Sequence, residues 1–237
     1  MFIWTPDALR FMKNACEYTD FYQNIAAHIA PSLPHDGHIC DAGCGAGYLS
    51  LAMLPYVGAV TAIDISEGAI SLLKEKNSPV KALVGNIAEL APETPYDAMV
   101  FCFFGGTEEA LSLGRAQCKK DGRLILIKKD WLARRFVTHE VLVERHSAME
   151  TQRELDALSI PYTLTRLPLE MGQPLSSMEE AVRFFSTYKD RDDDAPVDEA
   201  YIRARLVPDP KGEYAYYLPM EKNVGIFVVE MGDVTKE

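Results

Sequence analysis

The spacing of apolar residues along the chain changes period at short intervals. Between residues 5 and 30 it is helical: Thr5 can cap, Pro6 suits a first helical position, and Ile25 and Ile29 fall four apart on one face. Two helices are therefore predicted over 5–15 and 18–30, ended by Pro31 and Pro34. HICDA at 38–42 then reads as a short strand, 48–56 as a helix stopped near Gly58, and VTAID at 60–64 as a second strand. Ser66 is the expected N-cap of a helix through Leu72 and Leu73. Strands follow at 80–84 and 98–103, then a helix over 107–118, and KKDGR at 119–123 turns the chain into the strand LILI at 124–127. Strands alternating with helices in this way are βαβ units, so the fold class is α/β with a doubly wound, largely parallel sheet.

After Lys129 the rhythm changes. Residues 134–158 carry a long charged helical pattern, 162–169 reads as a strand, and 176–188 (SSMEEAVRFFSTY) is an amphipathic helix with a capping serine. The tract KDRDDDAPVDE at 189–199 is a solvated loop, and 224–231 forms a final apolar strand. The stretch between the strands near 162 and 224 is too long for an ordinary connection in a compact domain. Residues 171–221 are therefore expected to be a cap or insertion before the last strand, and residues 1–35 a pair of N-terminal helices.

A chain of 237 residues holds one large domain or a domain with an insertion. Its 35 acidic and 24 basic side chains give a net charge of −11, which lacks the basic footprint that a phosphate backbone requires. No nucleic-acid partner is expected. Five cysteines in no even framework suit a reducing compartment. The opening MFIWTPDALR shows no basic segment followed by an apolar one, and no run approaches the roughly 18 apolar residues of a spanning helix. The expectation is a cytoplasmic protein without a membrane partner.

The candidate chemistry begins at Asp41–Gly47, DAGCGAG, between a strand and a helix, where backbone without β-carbons lets a ligand approach closely. Taken alone, these glycines also fit a tight turn. The dinucleotide pattern G-x-G-x-x-G would need its third glycine where Tyr48 stands, so a nicotinamide-dependent oxidoreductase is the weaker reading. No Lys or Arg occurs from 39 to 73, so nothing there would neutralise a pyrophosphate, and a cationic ligand suits the loop better. Asp64 follows Asp41 by 23 residues, close to the spacing at which a carboxylate meets a ribose diol. Asn86 in VGNIAEL offers an amide to an adenine edge or to its own turn, and Phe101, Cys102 and Phe103 close the fourth strand. All of these fall at strand C-terminal ends, where doubly wound sheets bind ligands.

The ordered set ICDAGCGAGYLSL, AIDIS, VGNIAEL, YDAMVFCFFGG and GRLILIKK resembles the class I S-adenosylmethionine-dependent methyltransferases over roughly residues 15–130. The resemblance implies a Rossmann-like sheet of seven strands with the last antiparallel, S-adenosyl-L-methionine as cofactor, and methyl transfer to a small-molecule acceptor. It further implies that Asp41, Ala42 and the backbone of Gly43 and Gly45 face the methionine moiety, Asp64 and Ile65 the ribose end, and Asn86 with Ile87 the adenine. Phe101 and Cys102 would line the remaining side. The family often has Asp where Asn86 stands.

Few catalytic side chains are required, because a sulfonium already makes its methyl electrophilic and the enzyme chiefly aligns the reactants and excludes water. Tyr18, Phe103 and Phe104 are candidates for a cation–π wall, and Phe185 and Tyr188 of the proposed cap for the acceptor side, with core packing as the plainer role of each. His139, seven residues before His146, is the candidate general base. No carboxylate cluster accompanies Asp130, and Cys40 and Cys44 lack a second pair at zinc spacing, so no metal is expected. A module that binds the cofactor without turning it over remains the alternative from a different class. The sequence does not indicate an oligomeric state.

Overall fold

A computed structural model describes residues 5–130, 146–188 and 198–234. In chain order the helices are α1 (Pro6–Tyr18), α2 (Phe21–Ile29), α3 (Tyr48–Met53), α4 (Glu67–Glu75), α5 (Thr107–Gln117), α6 (Ala148–Ala157), α7 (Met178–Tyr188), α8 (Glu199–Arg203) and α9 (Met231–Val234). The strands are β1 (His38–Ala42), β2 (Ala59–Asp64), β3 (Lys81–Val84), β4 (Tyr96–Cys102), β5 (Cys118–Lys129), β6 (Thr163–Glu170), β7 (Gln173–Leu175), β8 (Tyr216–Leu218) and β9 (Glu221–Glu230). The chain divides into two compact units.

The first unit comprises Tyr22–Asp130, Glu144–Leu167 and Asn223–Glu237 and contains the sheet. Strand order is β3-β2-β1-β4-β5-β9-β6. Neighbours from β3 through β5 pair in parallel, with Ala42 beside Ile63 and Phe101, and β9 pairs antiparallel to β5 with Phe227 opposite Leu126. The expected antiparallel last strand is thus present, beginning three residues earlier than the apolar run suggests. The central strands are buried on both faces, which is why they read as continuous apolar runs. Their core gathers Met99, Phe101, Leu124, Leu126 and Phe227. Helix starts follow the expected chemistry: the Ser66 hydroxyl accepts from the Ala69 N–H (3.3 Å) and that of Ser147 from the Glu150 N–H (3.1 Å).

Two local readings differ. Residues 119–123, expected as a turn, lie within β5, but Tyr96 faces Cys118 while Ala98 faces Arg123, so residues 119–122 bulge out of the pairing opposite Asp97. The polar KKDGR therefore marks an interruption inside a longer strand. Of the helical pattern at 134–158, α6 is seen from Ala148, and residues 131–145, with His139 among them, lie outside the described residues.

The described residues of the second unit come from Met1–Phe21 and Pro168–Lys222, so most of the proposed cap shares a unit with α1. Thr5 caps α1 and Ser177 caps α7 through its hydroxyl, which accepts from the Glu180 N–H (3.1 Å). The unit has its own apolar cluster of Phe11, Leu175, Ala181, Phe184, Phe185, Ile202 and Leu218, in which Phe11 meets Phe184 edge-on at 5.1 Å. Antiparallel β7 and β8 close it. Among the described residues no helix is long and apolar enough to cross a membrane.

Candidate functional site

Because β1 lies between β2 and β4, its C-terminal end is the switch point of strand order, the place where doubly wound sheets bind ligands. The loop after β1 is fixed by its own backbone: the N–H groups of Gly43 and Cys44 both donate to the Ile63 carbonyl (2.9 and 3.1 Å). Gly43 has φ +67°, and the Phe104 ring covers it so closely that a β-carbon there would stand 2.3 Å from Phe104 Cγ. Phe104 in turn stacks on Phe101, with centroids 6.3 Å apart and planes within 7°.

Asp41 is the buried charge of this loop. Ser50 donates its hydroxyl to Oδ2, while Oδ1 has no hydrogen-bond partner. Burial pushes the carboxyl up to about 6, the nearby Asp64 adds to the rise, and the Ser50 hydrogen bond opposes it. An unpartnered buried acceptor is costly, and among the described residues none donates to this oxygen.

Asp64 ends β2 and is tied on both oxygens: Oδ2 accepts from the Gly45 N–H (2.8 Å) and Oδ1 from the Ser66 N–H (2.9 Å). Each oxygen keeps a second acceptor site, enough for a vicinal diol. The Gly85 N–H donates to the Asp64 carbonyl (2.9 Å), drawing the loop after β3 to the same place. Beside it two large apolar side chains stand open, Ile65 at 53% exposure and Val84 at 42%. They offer a flat apolar moiety two surfaces to cover.

The structure therefore joins Gly43 to Phe104 and Gly45 to Asp64 by direct contacts, with Asp41 at the start of the same loop and Ile65 next to Asp64. Other expected residues stand differently. Ala42 and Phe101 are fully buried under the loop, and Cys102 is half-buried at the end of β4. Asn86 is exposed and spends both amide groups on its own turn: Oδ1 accepts from the Ala88 N–H and Nδ2 donates to Glu89, each at 3.1 Å. Ile87 is in the core, and its carbonyl accepts from Gln117 Nε2 (2.8 Å). In the second unit the Tyr18 hydroxyl donates to Asp209, Phe185 is fully buried, and Tyr188 packs on Phe184 at 4.8 Å.

Two residues escaped the sequence reading. Val84 ends the strand expected at 80–84, and nothing in the sequence marks it as exposed. Lys128, just past the strand expected at 124–127, is fully buried and donates to the carbonyls of Phe104 and Gly105. The signal available for Lys128 was its place directly after the apolar LILI, where a strand still inside the sheet should not carry a free charge.

Residues 39–122 match the family model described as a methyltransferase domain. A malonyl-[acyl-carrier protein] O-methyltransferase of Priestia megaterium is 33% identical over 95 residues, spanning 37% of this chain and 35% of that protein. The chain thus aligns with about a third of that curated relative's length. Among solved structures, the YcgJ protein of Bacillus subtilis superposes with a TM-score of 0.54 at 18% identity, covering 87% of this chain and 98% of that one. A geranyl diphosphate methyltransferase solved in complex with S-adenosylmethionine gives 0.51 at 12% identity, covering 88% and 85%. The fold is that of the class I methyltransferases.

Proposed function

We propose that this chain, whose residues 39–122 match the methyltransferase-domain model, moves a methyl group from S-adenosylmethionine to a small-molecule acceptor. The observation that carries the reading is the buried, unpartnered Oδ1 of Asp41 beside a glycine loop whose next fixed point is Asp64. When bound, S-adenosylmethionine supplies an electrophilic methyl on a positive sulfur. Asp41 would hold its ammonium, the backbone at Gly43 and Gly45 would admit its methionine end, and Asp64 would accept from both ribose hydroxyls. Ile65 and Val84 would flank the adenine, with the Asn86–Ile87 turn at its edge. Phe104 walls the methyl side, and a ring there both excludes water and faces a sulfonium favourably.

Support for a small acceptor comes from the net charge of −11 and from a fold neighbour named for geranyl diphosphate. On the acceptor side Phe104 of the donor loop is the candidate contact and His139 the candidate base; Tyr18, bonded to Asp209, and Phe185 and Tyr188, packed in the second unit's own cluster, are taken up by that unit instead. Five cysteines with no disulfide suit a reducing, cytoplasmic setting. The test is incubation with methyl-labelled S-adenosylmethionine and a metabolite extract. Label in a small product is expected. Cofactor binding without any labelled product would instead favour a sensor.

A further inference from the structure

The loop after β4 holds an unusual conformation. Phe103 has φ +54° and Gly105 φ +62°, and for Phe103, with its β-carbon, the left-handed region is strained. Something must hold it. The Phe103 N–H donates to the Ile127 carbonyl (2.9 Å), and the next residue of β5, Lys128, sends its Nζ to the carbonyls of Phe104 (3.0 Å) and Gly105 (2.7 Å). Lys128 is fully buried. A buried ammonium is expensive unless its hydrogens are taken, and an apolar side chain would fill the same space without that cost. The lysine at this position is therefore explained by the two carbonyls it grips.

We infer that Lys128 is a positioning residue of the methyl-donor site: by gripping the carbonyls of Phe104 and Gly105 it fixes the loop that lays the Phe104 ring on Gly43. What the site holds rests on the function proposed above; the grip itself does not. Burial lowers the lysine to about 8, opposed by the neighbouring Cys102 and the carboxylates of Glu109, Glu154 and Glu150. Glu109 reaches over Gly105, His146 places its ring beside Gly106, and Glu150 is held by the His146 N–H. Charge-assisted bonds are about twice as strong as neutral ones, so the grip weakens when the amine loses its proton. Phe104 should then loosen on Gly43 at alkaline pH.

The test follows two readouts from pH 7 to 10 in the wild type and in Lys128→Met. One is the affinity for S-adenosylhomocysteine by calorimetry. The other is the ¹⁹F resonance of Phe104 in ligand-free protein grown with 4-fluorophenylalanine, assigned through Phe104→Leu. In the wild type both should change with one midpoint near 8. The methionine variant should bind roughly tenfold more weakly at neutral pH and lack the titration in both readouts. A wild-type Phe104 resonance that stays constant across the range overturns the inference even if the variant fails to fold. So does a methionine variant with wild-type affinity and pH profile. A resonance that titrates in protein that binds no S-adenosylhomocysteine overturns the methyl-donor reading and leaves only the loop grip.

Discussion

The ring of Phe104 occupies the space that a side chain on Gly43 would need, 2.3 Å from the position of a β-carbon. The two residues follow β4 and β1, which are neighbours in the sheet, so the glycine loop and the loop after β4 form one surface. Gly43→Ala meets both this contact and a φ of +67° that costs an alanine about 1–2 kcal/mol. It should lower the melting temperature and weaken S-adenosylhomocysteine binding by at least tenfold. Adding Phe104→Ala should recover part of the melting temperature, because it removes the clash while leaving the backbone strain. Thermal melts and calorimetry of the three variants check this.

Asp64 serves the loop before it serves a ligand, since it accepts from the N–H groups of Gly45 and Ser66. Asp64→Ala should therefore lower both stability and affinity. The affinity loss is expected to be on the order of 1–3 kcal/mol, the cost of leaving buried hydroxyls unpaired. Calorimetric titration of the variant with S-adenosylhomocysteine measures it.

The raised carboxyl of Asp41 makes two opposite predictions about pH. Its ordinary value of 3.8 is raised to about 6 in the fold, so its stabilising contribution is complete below the lower value and is lost as pH rises through the upper one. A bound ammonium selects the carboxylate, so cofactor affinity should be full above about pH 6 and decline on acidification through it. Melting curves with and without S-adenosylhomocysteine should show a ligand-induced shift that shrinks below that pH. Asp41→Asn should flatten the dependence.

Ile65 separates binding from folding. At 53% exposure its side chain contributes little to the core, so Ile65→Ser should leave the melting temperature within about a degree or two while weakening cofactor binding several-fold. A large loss of stability in this variant would place Ile65 in the packing rather than on the ligand surface.

Much of the sheet unit was legible because local signals agreed with global packing. HICDA is β1 to the residue, and Ser66 caps α4 as its type and position suggest. Asp41 and Asp64 fall at the C-terminal ends of the neighbouring β1 and β2, as their places in HICDA and VTAID suggest. Other features depend on contacts the sequence does not order. Asn86 suits either an adenine edge or its own turn, and its amide bonds within that turn. Lys128 reaches carbonyls 23 and 24 residues away, which charge patterning alone does not reveal. The second unit joins α1 to residues beyond 168, so its core of Phe11, Phe184 and Phe185 is assembled from distant segments and looked like an insertion.

The central claim is that the site at the ends of β1, β2 and β4 binds an adenosyl sulfonium through Asp41 and Asp64. Calorimetric titration of the purified chain with S-adenosylmethionine, S-adenosylhomocysteine and NADH tests it most directly. Saturable one-to-one binding of the first two and none of NADH is the predicted result. A folded protein that binds neither adenosyl ligand at millimolar concentration, or that binds NADH instead, would contradict the account.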